Sequence, residues 1–339
     1  MRKPRTARVL RQLLPLLFCG VTHLAQAWGP VGHESVGAIA DRLLAGSRAS
    51  HEIAALLDGW PLAQAAVWAD CAKGVDPAKD YSYTARGRFA ECAPFETDAG
   101  ITEMVDFVRR NDDNCARKPG EESCHKQYHY ADVAIQRRSY AAGHVGRRDD
   151  DVVAASAAMI RVLQGRTAPA PFVIRDKREA LLLLAHYLGD LHQPLHVGAI
   201  YLDAAGHPVD PDTAGFDPDS ATRGGNQLVL PEGRGNLHHL WDDVAEADDA
   251  AHIDAAWLKQ ARRVARTRGA PADWPAAWTG GSLSAARAAF ADLSFAAKQG
   301  ASWRAAAPED YEHKLRRTQH RQLTLAGARL AQTLRAVWP

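Results

Sequence analysis

Apolar residues recur at three-and-four spacing along most of the chain, a period that predicts amphipathic helices. The stretches that carry it are VGHESVGAIADRLL, EIAALLDGW, ITEMVDFVRRN, DDVVAASAAMIRVLQG, KREALLLLAHYLGDL, DAAWLKQARRVAR, SLSAARAAFADLSF and a long run from Glu309 to Trp338. Strand signals are few. The clearest is QLVL at 227–230, followed by the turn-rich PEGRGN, which together predict a small hairpin. The longest irregular stretches are 71–98 and 203–225, and polar residues able to hold a metal stand on both sides of each. Those residues must converge, so neither stretch reads as a linker. The expected fold class is all-α: one mainly helical domain with a small β-hairpin.

Residues 1–27 break this pattern. Arg2, Lys3, Arg5, Arg8 and Arg11 precede the short apolar run LLPLLFCGVTHLA, and Ala25-Gln26-Ala27 is a small-x-small cleavage site. This is the layout of an export signal, so the mature domain is expected to span 28–339 and to begin at Trp28. The apolar run is too short to stay in a bilayer, and no later segment approaches the roughly 18–20 continuous apolar residues of a membrane helix. The expectation is a secreted or periplasmic chain with no membrane partner.

Processing would remove five basic and no acidic residues, taking Lys+Arg from 41 to 36 against 40 Asp+Glu, a formal charge of −4. That balance argues against a basic polyanion-binding surface; attraction to nucleic acid would have to come from bound cations. Four cysteines remain, Cys71, Cys92, Cys115 and Cys124. An exported chain oxidises them, which predicts two disulfides whose pairing the spacing leaves open.

The candidate chemistry lies in the spacing of His and Asp. In LLLAHYLGDLHQPLH, His186 and Asp190 share one helix face, so an imidazole nitrogen and a carboxylate oxygen can reach one cation. Pro194 must interrupt that helix, which leaves His196 free to serve another ion. A second H-x3-D pair, His238 to Asp242, occurs in NLHHLWDD. Recurrence of the pair favours a site with several metal ions. Asp70 in VWAD, His129 and Asp132 in QYHYAD, and His33 in WGPVGH stand upstream as further candidates. His51, His125, His144, His192, His207, His239, His252, His313 and His320 lack a partner in this pattern and read as surface or supporting residues.

The order WGPVGH, WAD, HYAD, HYLGDLHQPLHV, GGN, NLHHLWD resembles the zinc-dependent single-strand nucleases and 3′-nucleotidases of the nuclease S-one and P-one type, which are related to zinc phospholipase C. The likeness runs from Trp28 to about Asp242. It implies three zinc ions. Asp70, His129, His186 and Asp190 would hold one; the α-amino and carbonyl groups of Trp28, His33 and again Asp190 a second; His196, His238 and Asp242 the third. Imidazole and carboxylate donors without cysteine suit a zinc that keeps a position open for water and substrate. Cleavage before Trp28 would itself create a ligand, since a free α-amine can lose its proton to a metal. Gly29 and Gly32 are expected to turn the chain so that His33 returns to that amine.

The same resemblance implies that Asp190 bridges two ions sharing an activated water, and that Asp132 orients this water. It further implies that Tyr130 stacks on a base and that Asn226 of GGN hydrogen-bonds a base edge. The implied substrates are single-stranded DNA, RNA and 3′-nucleotides, cut to 5′-phosphate products by a monomer.

Two insertions depart from the compact pattern: the 58 residues between Asp70 and His129, and an Asp/Pro-rich stretch before Asn226. Both leave the ligands intact and bear on the cleft rims. Arg86, Arg88, Arg109, Arg110, Arg117, Lys118 and Lys126 in the first read as solvated charges able to track a phosphate backbone. No N-x-[ST] sequon occurs, which with the Ala- and Arg-rich composition points to a bacterial exported enzyme. The alternatives are a zinc phospholipase C and a non-catalytic exported zinc binder. Tyr130 and the GGN stretch favour nucleotides over lipid, and Asp132 with a shared carboxylate favours catalysis over storage.

Overall fold

The computed structural model describes residues 28–339 except 113, 116 and 118–120. The expected signal at 1–27 and Lys118 lie outside the described residues.

Every stretch with the helical period folds as a helix, in the order Pro30–Leu44, Arg48–Leu56, Asp98–Asp112, Val152–Leu163, Lys177–Asp190, Ala255–Arg262, Trp274–Ala291 and Tyr311–Val337. The Lys177–Asp190 helix is central. Asp176 starts it by accepting the Glu179 amide at 2.9 Å, while Glu179 accepts the Arg175 amide at 3.1 Å. Such reciprocal capping satisfies amides that have no partner within the helix. From Glu179 to Asp190 every side chain is buried, so this helix is covered on all sides by the Val152–Leu163, Pro30–Leu44 and Tyr311–Val337 helices. It thereby carries His186 and Asp190 into the core.

The Trp274–Ala291 helix starts eight residues before the expected SLSAARAAF segment, because Pro275 in its first turn lacks only an N–H that would have been unpaired there. Its expected end is corrected too: Ser294–Phe295 is a strand, paired antiparallel with Ala305 and Ala306.

The expected hairpin at 227–236 is likewise corrected in part. Leu228–Val229 pairs in parallel with Trp303 and Arg304, building a three-stranded sheet from segments far apart in the chain. The local return is a single bridge, Val229 to Asn236, with the Leu230 amide donating to Gly235 O at 2.9 Å. The remaining sheets are two-stranded.

Two disulfides form, Cys71 to Cys92 and Cys115 to Cys124, which settles the pairing the spacing left open. The first ties the short Trp68–Ala72 helix to the Ala90–Phe95 segment, and the second closes the chain just before His129. No helix among the described residues is long and apolar enough to cross a membrane.

Candidate metal centre

His186 and Asp190, one turn apart on the central helix, meet at 3.1 Å between Nε2 and Oδ2. His129 enters from the loop after Cys124–Gln127 and places Nδ1 2.9 Å from the same oxygen and 3.0 Å from His186 Nε2. Asp70 Oδ1 stands 3.5 Å from His186 Nε2 and 3.8 Å from His129 Nδ1. His33, on the first helix, faces the other oxygen of Asp190, with Nε2 3.4 Å from Oδ1. Gly189 permits that approach, since a Cβ there would fall 2.8 Å from His33 Nδ1.

Trp28 is fully buried and its indole Nε1 donates to Gly189 O at 2.8 Å, while the Gly29 amide donates to Asp242 O at 2.8 Å. The start of the described chain is thus pinned to both ligand-bearing helices. The tight path expected at Gly29 and Gly32 is present: a Cβ on Gly32 would fall 2.8 Å from Trp28 Cβ, and the Gly32 amide donates to Gly29 O at 2.8 Å, although neither glycine has a positive φ and Pro30 already lies in the first turn of the helix.

Pro194 does end the central run. Gln193 caps a new short helix, Pro194–Val197, by accepting the Leu195 amide at 2.5 Å, and this turns His196 toward the Leu237–Asp242 helix. There His196 Nε2 lies 3.0 Å from His238 Nε2, and Asp242 Oδ2 lies 3.5 Å from the latter. The Gln193 amide donates to Asp242 Oδ1 at 2.7 Å and fixes that carboxylate. Three donor groups result, each with atoms within 4.8 Å of one another: His33, His186 and Asp190; Asp70, His129 and His186; His196, His238 and Asp242.

These donors fit a metal cation on their own chemistry. Nδ1 of His186, His196 and His238 lies 2.6, 2.7 and 2.8 Å from the carbonyls of Ala66, His129 and Gly224. Each ring therefore carries its proton on Nδ1 and presents Nε2 as a lone pair, the tautomer a ligand imidazole needs. Two such lone pairs 3.0 Å apart, as in His196 and His238, repel unless a cation lies between them. Both ring nitrogens of His33 and Oδ1 of Asp190 are buried without a hydrogen-bond partner, a costly state that a cation would relieve.

The electrostatics agree. Burial lowers His33 to about 4, and burial with help from Lys73 lowers His129 to about 3, so both imidazoles are neutral donors. Burial also pushes Asp190 up, but positive charge on His186 and His196 and hydrogen bonds from His129 and His186 outweigh it and hold the carboxyl well below its ordinary value, while Asp190 and Asp70 raise His186 against burial: the carboxylates draw positive charge to this point, a proton or a cation.

Asp132 sits beside this centre in a left-handed backbone conformation, φ 51°, which non-glycine residues adopt at a cost. Gly146 packs so closely on it that a Cβ would fall 2.2 Å from Asp132 O, and the Tyr201 hydroxyl donates to the same oxygen at 2.8 Å. Burial raises the Asp132 carboxyl to about 7, against the pull of Arg223 and with a push from Glu122. Tyr130 is partly buried, its hydroxyl 3.4 Å from Glu122 Oε2. Asn226 uses its side-chain amide to donate to Arg223 O at 3.0 Å, closing the GGN turn.

Sequence reasoning missed Lys73. Its Nζ lies 2.6 Å from Asp70 Oδ1 in a nearly closed environment, and Asp70 and Asp190 outweigh the effect of burial to keep it charged. The signal was an Asp-x-x-Lys pair one helical turn apart, indistinguishable from a surface ion pair. It also missed Gln193 and the carbonyl of Gly224, which orient ligands. Among the remaining histidines His125 and His192 are buried, and His192 braces the central helix through Leu188 O at 2.7 Å and Arg329 at 2.7 Å.

Compared with known proteins, residues 28–338 match the family described as S1/P1 Nuclease. Curated relatives from Arabidopsis thaliana are similar over shorter stretches. Endonuclease 5 is 35% identical over 68 residues, covering 20% of this chain and 16% of the relative. Endonuclease 2 is 31% identical over 94 residues, 26% of each chain, and Endonuclease 1 is 39% identical over 66 residues, 19% and 15%. The matched stretches thus span about a quarter or less of those relatives' own length. S1/P1 nucleases are zinc enzymes, in keeping with the three imidazole and carboxylate clusters. With the match extending over nearly all the described residues, the chain belongs to the S1/P1 nuclease family.

Proposed function

We propose that this chain is an exported, monomeric, bacterial zinc hydrolase that cuts single-stranded DNA and RNA to 5′-phosphate products and also removes phosphate from 3′-nucleotides. The observation that carries the reading is Asp190. One of its oxygens faces His33 at 3.4 Å while the other faces His129 and His186 at 2.9 and 3.1 Å, the arrangement of a carboxylate shared between two cations.

In this reading Asp70, His129, His186 and Asp190 hold one zinc; Trp28, freed by cleavage before it, with His33 and Asp190 a second; His196, His238 and Asp242 a third. Bound zinc supplies Lewis acidity, lowering the pKa of water and neutralising phosphate charge. Lys73 adds a fixed positive charge in a desolvated setting, where it acts on a phosphate more strongly than in water. Asp132, with a carboxyl near neutrality and a backbone locked by Gly146 and Tyr201, orients the attacking water and accepts its proton. Tyr130 offers a ring for stacking and Asn226 an amide for a base edge. Both need an unpaired base, which favours single strands over duplex.

The test uses zinc-loaded protein beginning at Trp28, given a single-stranded oligonucleotide, its duplex, 3′-adenosine monophosphate and lecithin. The expected result is 5′-phosphate nucleotides from the single strand and phosphate from the mononucleotide, lost on chelation and regained with zinc. Phosphocholine release without nucleotide release would reassign the site to lipid, and tight zinc binding without any hydrolysis would reduce the protein to a metal binder.

A further inference from the structure

The stretch 203–225 that interrupts the ligand motifs does more than lengthen the chain. It presents Phe216, half exposed and the only aromatic among the exposed large hydrophobic side chains of the described residues. A phenylalanine held in water forgoes the stabilisation of burial, so its position calls for a reason. Phe216 stands edge-on to Tyr201, ring centroids 6.2 Å apart at 82°. Tyr201 is itself buried and donates its hydroxyl to Asp132 O at 2.8 Å. One side chain therefore links the exposed ring to the residue assigned to the attacking water.

The stretch is anchored at both ends. Tyr201 pairs with Val209 and bridges Ala221, Arg137 pairs with Asp210 and Asp212, and Asp217 caps the turn after Phe216 by accepting the Asp219 amide at 2.9 Å. Two residues past the Ala221 bridge stands Arg223, exposed, with φ 51°, and near enough to Asp132 to act on its carboxyl. Phe216 is thus tied to Asp132 through Tyr201, and Arg223 directly precedes Gly224, where a Cβ would fall 3.2 Å from His238 Nδ1 and 3.3 Å from Asp132 Oδ1, while Tyr130 lies in the segment before Asp132. Stacking on an aromatic face combined with a cation for the backbone is the pairing by which proteins hold single strands without reading sequence.

We propose that Phe216 is a stacking platform for a base next to the nucleotide being cut, and that Arg223 pairs with the phosphate between them, so that the insertion favours polynucleotides over 3′-mononucleotides. The proposal rests on the nuclease reading above. Its test compares KM for a short single-stranded oligonucleotide with KM for 3′-adenosine monophosphate in zinc-loaded wild type, Phe216→Ala, Phe216→Trp and Arg223→Gln. The ratio of the two values should rise roughly tenfold or more in Phe216→Ala, stay near wild type in Phe216→Trp, and rise in Arg223→Gln by an amount that shrinks as salt is added. Equilibrium binding of a fluorescent, non-hydrolysable oligothymidylate analogue to zinc-loaded protein should weaken in the same order. An unchanged ratio in Phe216→Ala, or an equal rise for both substrates in every variant, overturns the proposal. A concentration-dependent dimer that Phe216→Ala dissolves without altering the ratio would reassign the ring to a contact between copies. Failure of the nuclease reading itself is distinguishable, because wild type would then cut neither substrate.

Discussion

His196 Nε2 and His238 Nε2 lie 3.0 Å apart, while the other nitrogen of each ring is held 2.7 and 2.8 Å from the carbonyls of His129 and Gly224. Two chain segments that carry other functional residues, the HYAD loop and the GGN turn, therefore aim these rings at one point. Holding two lone pairs there has a cost in a dry interior, and a cation removes it.

Metal removal should accordingly weaken the fold as well as stop catalysis. Metal analysis of protein beginning at Trp28 is expected to give about three zinc per chain. Calorimetry should show a lower Tm after chelation, because an ion present at about a thousand times its Kd contributes about 4 kcal/mol to the folded state. A Tm indifferent to chelator would contradict the assignment of these buried donors.

Asp190→Asn should cost more than any change confined to one cluster. Its two oxygens face different histidines, so two ions lose a donor, whereas Asp242→Asn affects one. Zinc stoichiometry and kcat measured together should rank Asp190→Asn below Asp242→Asn; near-normal activity in the former removes the shared role.

Lys73→Met is expected to reduce kcat by roughly 10²–10³-fold, the loss typical when one preorganised charge is removed from a developing anion. Zinc content should hold, because Lys73 is no ligand. If kcat stays put and only stability falls, the lysine is a structural partner of Asp70 at 2.6 Å and nothing more.

Asp132 sets the expected pH dependence. Its folded carboxyl titrates at about 7, above the ordinary 3.8, so the folded state holds this proton more tightly than the unfolded chain. Its contribution to stability is therefore present at low pH and is lost as pH rises to about 7, while the basic form needed for catalysis fills over the top of that window. In metal-free protein the Asp132 carboxyl should titrate at about 7, and zinc, by favouring its charged form, should move the rising limb of kcat/KM in wild type below that value. In Asp132→Asn that limb should vanish, with a rate lower by roughly 10²–10⁴-fold and a higher Tm at pH 8. A variant that keeps both rate and limb would exclude Asp132 from proton transfer.

Gly146→Ala tests the same residue from behind. At φ 88° and with a Cβ only 2.2 Å from Asp132 O, the methyl group must displace that backbone. Activity should fall toward that of Asp132→Asn while zinc content holds; full activity would mean that the position of Asp132 is immaterial.

Much of this protein was legible along the chain, for a definite reason. Helical period and four-residue spacing are local properties, so they placed the long helices and put His186 with Asp190, and His238 with Asp242, on common faces without any knowledge of the fold. The ordered motifs around them carried the family. What remained hidden depends on segments that meet through space. Leu228 finds its partner in Trp303, Ser294–Phe295 becomes a strand because that same segment lies alongside it, and Cys71 pairs with Cys92 once the first insertion folds back. Lys73 looked like any solvated lysine until burial against Asp70 set it apart, and Phe216 looked like loop until Tyr201 tied it to Asp132. Spacing within one helix follows from bond geometry alone, whereas burial, electrostatic environment and the approach of distant residues arise only when the whole chain packs.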